Sequence, residues 1–343
     1  MLVYLGIAVF ELILLLFYHQ SKTSRAKLWI YIFGCVGLVL VVGLRSYHTG
    51  ADTIGYVKSF LEIKNIDWDD IVDEFRTDYG FYYFTKFIRM FVTDSPTVYL
   101  LITSFLSLIG IFDLIWNNSK SPVLSLYFYI TIGNFWFVFT GIRQAIAMSI
   151  CMLAVRFVQN RKIIPFVALI WLAAQMHHSA YIFVVMYFLG TRKVDIINML
   201  INIAVTVIAF FSYENLLAVA NEWLDYDYGV EATGNGLIFF AILLIVLALG
   251  IITQSDWVKD KKSTVILNSG VITGILWVFR LISRTAERPS MYWLNTVPVV
   301  LSESIESIDD KRGRMYIRLA VIGFTLLFFM YRARGTYYAF FTA

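Results

Sequence analysis

Arg280, Arg284 and Arg288 recur at intervals of four near one end of an apolar stretch that runs into Pro289. On a helix such positions stack on one face, each roughly 6 Å above the last. Like charges at that spacing repel, and a charged side chain at membrane depth costs at least ~2.5 kcal/mol. Glu287 offsets only one of the three. An anion with several oxygens, such as a diphosphate, would relieve the repulsion, because the planar guanidinium fork matches phosphate oxygens. The alternative is that Arg284 and Arg288 reach lipid headgroups, which leaves the deeper Arg280 unexplained.

Other residue types in the chain suit proton transfer and anion binding. Arg45 is followed by Gly50, Asp52 and Gly55, and the glycines permit a tight turn and close approach of a ligand. There an arginine would bind an anion and a carboxylate accept a proton; the alternative is an Arg45–Asp52 pair that tethers the loop. Arg143-Gln144 follows Gly141 and offers a second anion-binding arm plus an amide for sugar hydroxyls, or a helix cap. His177 and His178 interrupt an apolar run. A neutral imidazole accepts a hydroxyl proton near pH 7, although a histidine in a bundle is often a packing residue. Consecutive residues on a helix point in different directions, so one of the two is expected to serve, with the choice open. Aromatic residues such as Trp68, Tyr82, Trp136 and Tyr292 can stack on sugars or form an interfacial belt. Asp67, Asp69 and Asp70 are a metal-ligand set or a solvated loop. Glu11 and Asp113 are ionisable groups within apolar segments.

The elements that must position these groups are set by composition. The chain has 343 residues, of which 59% are hydrophobic and only 15% charged. That excludes a soluble domain and indicates an all-α polytopic membrane protein. The net charge of +4 is what a positive-inside bias alone produces, and implies no nucleic-acid partner. Cys35 and Cys151 form no disulfide framework and have no metal-ligand spacing. Crossings are expected at about 1–18, 28–44, 96–116 and 122–139, a fifth from the tight turn Gly141-Ile142-Arg143-Gln144 back to Arg161-Lys162, and then at about 194–212, 236–254, 264–287, 291–305 and 315–331. The loop 45–95 lies outside and carries an amphipathic piece at 79–92. The segment 163–190 is expected to be a hairpin broken at His177-His178-Ser179. Only that choice keeps Arg192-Lys193, Lys259-Lys261-Lys262 and Lys311-Arg312-Arg314 on the cytoplasmic side. The total is about 11–12 membrane helices in one integral domain spanning 1–343.

This topology gathers Arg45 to Asp52, Arg143-Gln144, His177-His178, Arg280 to Arg288 and the acidic loop 213–231 at the outer face. The ordered set Arg45, Gly50-Ala51-Asp52-Thr53, Tyr79-Gly80, Arg143-Gln144, His178-Ser179, Arg284, Arg288-Pro289 and Tyr292 resembles the EpsG family, the Wzy-type bacterial polysaccharide polymerases of O-antigen, capsule and exopolysaccharide synthesis. The resemblance implies a GT-C-like bundle with an outer-face cavity in the bacterial cytoplasmic membrane, active on the periplasmic or extracellular side. It implies transfer of a growing glycan from undecaprenyl diphosphate to a hydroxyl of a new lipid-linked repeat unit. Arg45, Asp52, Arg143, His178 and Arg284 match the family pattern; the doubled histidine, Arg280 and Arg288 depart from it. Residue chemistry agrees on a metal-independent, cofactor-free displacement that inverts the anomeric centre. His178 would be the base with Asp52 second, and Arg45, Arg143, Gln144, Arg280, Arg284, Arg288 and Tyr292 would bind substrate. Membrane lipid, a chain-length regulator and a flippase are the partners this implies. Rival classes are a lipid-linked oligosaccharide flippase, an O-antigen-ligase-like enzyme and an acyltransferase. A flippase should carry charges near the midplane and gates on both faces, whereas here the charges gather at one face.

Overall fold

The computed structural model describes residues 2–75, 77–224, 236–284 and 286–340, and among these it is helical, with one isolated bridge between Arg45 and Phe340. Residues 225–231 of the expected acidic loop lie outside the described residues. The helices are α1 (Leu2–Gln20), α2 (Ser24–Gly43), α3 (Thr53–Glu62), α4 (Ile71–Glu74), α5 (Tyr79–Phe91), α6 (Pro96–Asn118), α7 (Pro122–Ile132), α8 (Ile142–Gln159), α9 (Ile163–Met176) and α10 (Val185–Leu189). They continue as α11 (Ile196–Phe211), α12 (Tyr213–Leu224), α13 (Leu237–Ile252), α14 (Gln254–Trp257), α15 (Lys261–Val278), α16 (Glu287–Leu294), α17 (Val297–Glu306) and α18 (Lys311–Arg332).

Local chemistry sets where these begin. Thr23 caps α2 through the Ala26 amide, and Asp260 and Ser263 form a reciprocal capping box on α15. Asp310 accepts from Arg312 and Gly313 at the start of α18. Pro96 and Pro122 stand at the first positions of α6 and α7, where the missing N–H costs nothing.

Six helices are long and apolar enough to cross a membrane: α1, α2, α6, α8, α15 with its following 3-10 turn, and α18. The pair α11–α12 is bent by 79°, and four apolar helices are shorter. The chain is therefore a multi-pass helical membrane protein. The 11–12 crossings expected become six full-length helices, one bent pair and four short apolar pieces among the described residues. Helix α7 is buried on every side, as a helix apolar all round must be. With 11 residues it is also too short to span ~30 Å of hydrocarbon.

Three expected spans are broken. Span 122–139 ends as an α-helix at Gly133 and continues as a 3-10 turn, Phe135–Phe139. Span 264–287 leaves the α-helix at Val278 and becomes irregular after the turn Phe279–Leu281, and Pro289 falls in the first turn of the next helix, where its missing N–H is tolerated. Span 291–305 divides at Asn295–Thr296, where Pro298 has no N–H for the carbonyl four residues earlier. The breaks serve each other. Asn134 Nδ2 donates to the Met291 carbonyl at 2.6 Å and to Asn295 Oδ1 at 3.3 Å, which meets the demand that non-helical backbone at membrane depth be satisfied inside protein.

The segment 163–190 is the hairpin read from the sequence. Helix α9 stops at Met176, His177 is extended, and a 3-10 turn runs His178–Val184 into α10. Arg161 stacks on the Tyr187 ring at 4.4 Å, and the Tyr187 hydroxyl donates to the Arg161 carbonyl at 3.0 Å. A straight helix would hold these two residues about 39 Å apart. The hairpin sorts the bundle's ends. One end joins Arg318 to Glu306, Lys120 to Glu303, Gln159 to Asn118 and the Lys262 carbonyl, and Asn268 to the Gly190 and Arg192 carbonyls. The other holds the breaks at 133, 177, 279–286 and 295. A cysteine at Ser179 and one at Lys193 should therefore be labelled from opposite sides of the membrane, against a quiet background because Cys35 and Cys151 are buried. Labelling of both from one side would remove the hairpin.

Candidate functional site

Asp78 is the centre of the polar end. It stands before α5 with φ 60° and ψ 38°, the left-handed region that a non-glycine residue enters at a cost of roughly 1–2 kcal/mol, and it is fully buried. Its Oδ2 lies 2.8 Å from His177 Nδ1 and 2.9 Å from Arg143 Nη1. Its Oδ1 accepts the His178 backbone N–H at 2.8 Å and stands 3.4 Å from His178 Nδ1. Burial alone would raise this carboxyl; hydrogen bonds from His177 and His178 and the charge of Arg143 outweigh that and hold it well below the usual carboxylate range. The close approach of α5 to α9 depends on Gly80, where an added Cβ would stand 2.6 Å from Gln175.

Two elements bring the partners in. The helix break at His177 exposes the His178 N–H that Asp78 accepts. Arg143 projects from the first turn of α8, lies over the Tyr82 ring at 5.8 Å and hydrogen-bonds Tyr56. The histidines differ in access: the His177 side chain is 7% exposed and the His178 side chain 33%.

The arginines do not form one ladder. Arg280 lies in the 3-10 turn, Arg284 in the irregular stretch and Arg288 in the first turn of α16. Arg280 and Arg284 line a half-open cavity of ≈ 540 Å³, together with Glu287, Asn134, Trp277 and Arg332. Arg280 is 7% exposed; its Nε donates to Glu287 Oε2 at 2.7 Å, while its buried Nη1 has no hydrogen-bond partner among the described residues. The exposed Arg284 side chain makes no ion pair or hydrogen bond among the described residues. Arg288 is turned from this cavity and acts electrostatically on His177.

The remaining sequence candidates fall elsewhere. Arg45 is buried and donates to the Val42 carbonyl and Thr53 Oγ1. The C-terminal segment covers it: Ser46 N–H donates to the Ala339 carbonyl at 2.7 Å, and the Tyr338 hydroxyl to the Val41 carbonyl. The pairing of Arg45 with Asp52 that the sequence suggested is absent, because Asp52 is exposed and Thr53 takes its place beside the guanidinium. Gly50 has the positive φ, 92°, that the turn requires, whereas Gly55 lies within α3. Gln144 is 3% exposed and donates to the Arg288 carbonyl at 3.1 Å, and Tyr292 is buried with its hydroxyl 2.8 Å from Ser179. These two contacts fix α16 to α8 and to the hairpin. Asp113 pairs with Arg156, Glu11 is buried against Gly34, and Asp67, Asp69 and Asp70 join no cluster of metal-ligand type among the described residues.

Two residues of this end were not singled out in the sequence. Asp78 lies in the loop 45–95 with several other carboxylates, among them Asp67, Asp69, Asp70, Asp73 and Glu74; its signal was its place directly before the amphipathic α5. Arg332 closes α18; its signal was an arginine at the end where a positive-inside bias predicts none.

The fold and this end define a multi-pass helical membrane protein with a buried carboxylate–histidine–arginine cluster beside an arginine-lined cavity. The chain belongs to the EpsG family, whose model matches residues 28–342. No curated protein and no solved structure matches it. Membership points to a polysaccharide-polymerase-type role.

Asp78→Ala is expected to lower stability by about 1–3 kcal/mol, because it leaves the His178 N–H without its acceptor and Arg143 without its carboxylate. The folded-state pKa of Asp78 is depressed, so its contribution is complete above the unfolded carboxylate range near ~4 and is lost as pH falls through the folded value. In thermal unfolding the deficit of Asp78→Asn should be full at neutral pH and shrink only below about pH 4. A deficit that vanished between neutrality and that point would contradict this account of Asp78.

Proposed function

We propose that the protein is a polysaccharide polymerase that transfers a growing glycan from undecaprenyl diphosphate to a hydroxyl of a new lipid-linked repeat unit. The observation that carries this reading is Arg280, buried with an unpartnered Nη1, beside Arg284 in a cavity at the same end as the Asp78 cluster. The Lys/Arg bias of the opposite end supports placing this one at the outer face of the bacterial cytoplasmic membrane.

His178 is the base. It is the more accessible histidine of the pair, and Asp78 orients it through its backbone and faces its Nδ1. The acceptor hydroxyl gives its proton to His178 while its oxygen bonds to the anomeric carbon. The bond from that carbon to the diphosphate oxygen breaks, and the electron pair leaves with the diphosphate. Arg280 and Arg284 stabilise the charge that develops there. Direct displacement inverts the anomeric centre. Helix α16 lies between the two groups: Arg288 and Tyr292 face the α8–hairpin side, and Glu287, Met291 and Leu294 line the cavity.

Purified enzyme with a lipid-linked repeat unit tests the assignment. Arg284→Ala should abolish polymer while the protein still inserts, and Arg284→Lys should fail too, because an ammonium lacks the planar fork. His178→Ala should lose on the order of 10²–10⁴ in rate yet still bind the diphosphate; Asp52→Asn should lose less. Near-normal turnover by His178→Ala beside a dead Asp52→Asn would reverse these roles, and a dead His177→Ala with active His178→Ala would move the base by one residue.

A further inference from the structure

We propose that Arg332, at the C-terminal end of α18, is a third arm of the anion site and is the residue that makes it select a diphosphate over a single phosphate. The inference rests on the polymerase reading and deepens it. Arg332 lines the same cavity as Arg280 and Arg284 but arrives from a different helix. Two donors from one short stretch grip one side of an anion; a third from α18 gives the site a second side.

The surroundings of Arg332 fit that role. Its guanidinium lies over the rings of Phe239 at 5.5 Å and Phe328 at 5.8 Å, within the range in which a ring face attracts a cation. Ring stacking leaves the in-plane N–H groups for a ligand. The lining holds three arginines and one glutamate, a formal excess of two positive charges. Glu287 is already engaged with Arg280, so a monoanion would leave the cavity positive. A diphosphate diester, a dianion, balances it. Arg332 also lies at the end where the insertion bias disfavours cations, which a ligand-binding role explains and a topogenic one does not.

Trp136 and Trp277 line the cavity and report on it by fluorescence. The full-length protein in detergent would be titrated with inorganic pyrophosphate, with inorganic phosphate, and with micelles containing phosphatidylglycerol as a single-phosphate headgroup. Wild-type protein should bind pyrophosphate more tightly than either. Arg332→Ala should weaken pyrophosphate about tenfold and phosphate by much less, so that discrimination collapses, while thermal stability stays near wild type. Arg332→Lys should restore part of it. Unchanged discrimination in Arg332→Ala, with pyrophosphate binding weakened in Arg284→Ala, would overturn the role of Arg332 and leave the polymerase reading standing. Unchanged binding in both variants would remove the arginine cavity from the reaction altogether. Phosphatidylglycerol competing as well as pyrophosphate would make the site a headgroup site and overturn the proposal.

Discussion

A helix that breaks inside a membrane bundle must find partners for the backbone groups it frees, because hydrocarbon offers none. The polar end of this protein is built from the partners so recruited. Asn134 serves the Met291 carbonyl, Gln144 the Arg288 carbonyl, and Asp78 the His178 amide. Each joins a break to a different element, so the breaks hold one another in register. A continuous bundle would free no backbone groups for these side chains to serve. The irregular backbone and the concentration of reactive side chains therefore have one origin.

The two halves of that end differ in charge, and the difference suits opposite tasks. Around Asp78, one carboxylate meets Arg143 and two histidines, so the neighbourhood is close to neutral when the imidazoles are uncharged. An imidazole must be uncharged to accept a proton. The cavity beyond α16 keeps a formal positive excess, as stabilisation of an anionic leaving group requires. Helix α16 is short, with 8 residues, and is pinned on one side by Gln144 and Ser179 while Glu287 on it orients Arg280. One rigid piece thus sets the spacing between the Asp78 cluster and the arginine cavity.

Much of this was legible in the sequence. Composition alone gave the class, and the Lys/Arg bias predicted the hairpin at His177, which the Arg161–Tyr187 contact bears out. The broken spans were missed because hydropathy averages over the breaks: Pro298 stands in an otherwise apolar run, and its effect on the preceding carbonyl is local. The arginine ladder was drawn on a continuous helix, whereas α15 ends at Val278, before the first of the three arginines. Asp78 was hidden among acidic neighbours, since nothing in a loop sequence shows which carboxylate turns inward. Arg45 and Asp52 read as a pair from their spacing, but Thr53, directly after Asp52, and the C-terminal segment supply the contacts instead.

The identity of the cations separates insertion from recognition. The positive-inside bias counts lysine and arginine alike, and the end assigned to the cytoplasm mixes both, as in Lys22, Arg25, Lys120, Arg192, Lys193 and Lys262. The cations that line the cavity or face Asp78 are all arginine: Arg143, Arg280, Arg284 and Arg332. A lysine would satisfy a simple charge requirement at any of them. A guanidinium adds a fixed planar array of donors that binds two oxygens at once, keeps its charge when partly buried and stacks on rings, as Arg143 does on Tyr82 and Arg332 on Phe239. Selection for that geometry, beyond charge, is what a site for a multi-oxygen anion imposes and what an insertion signal does not.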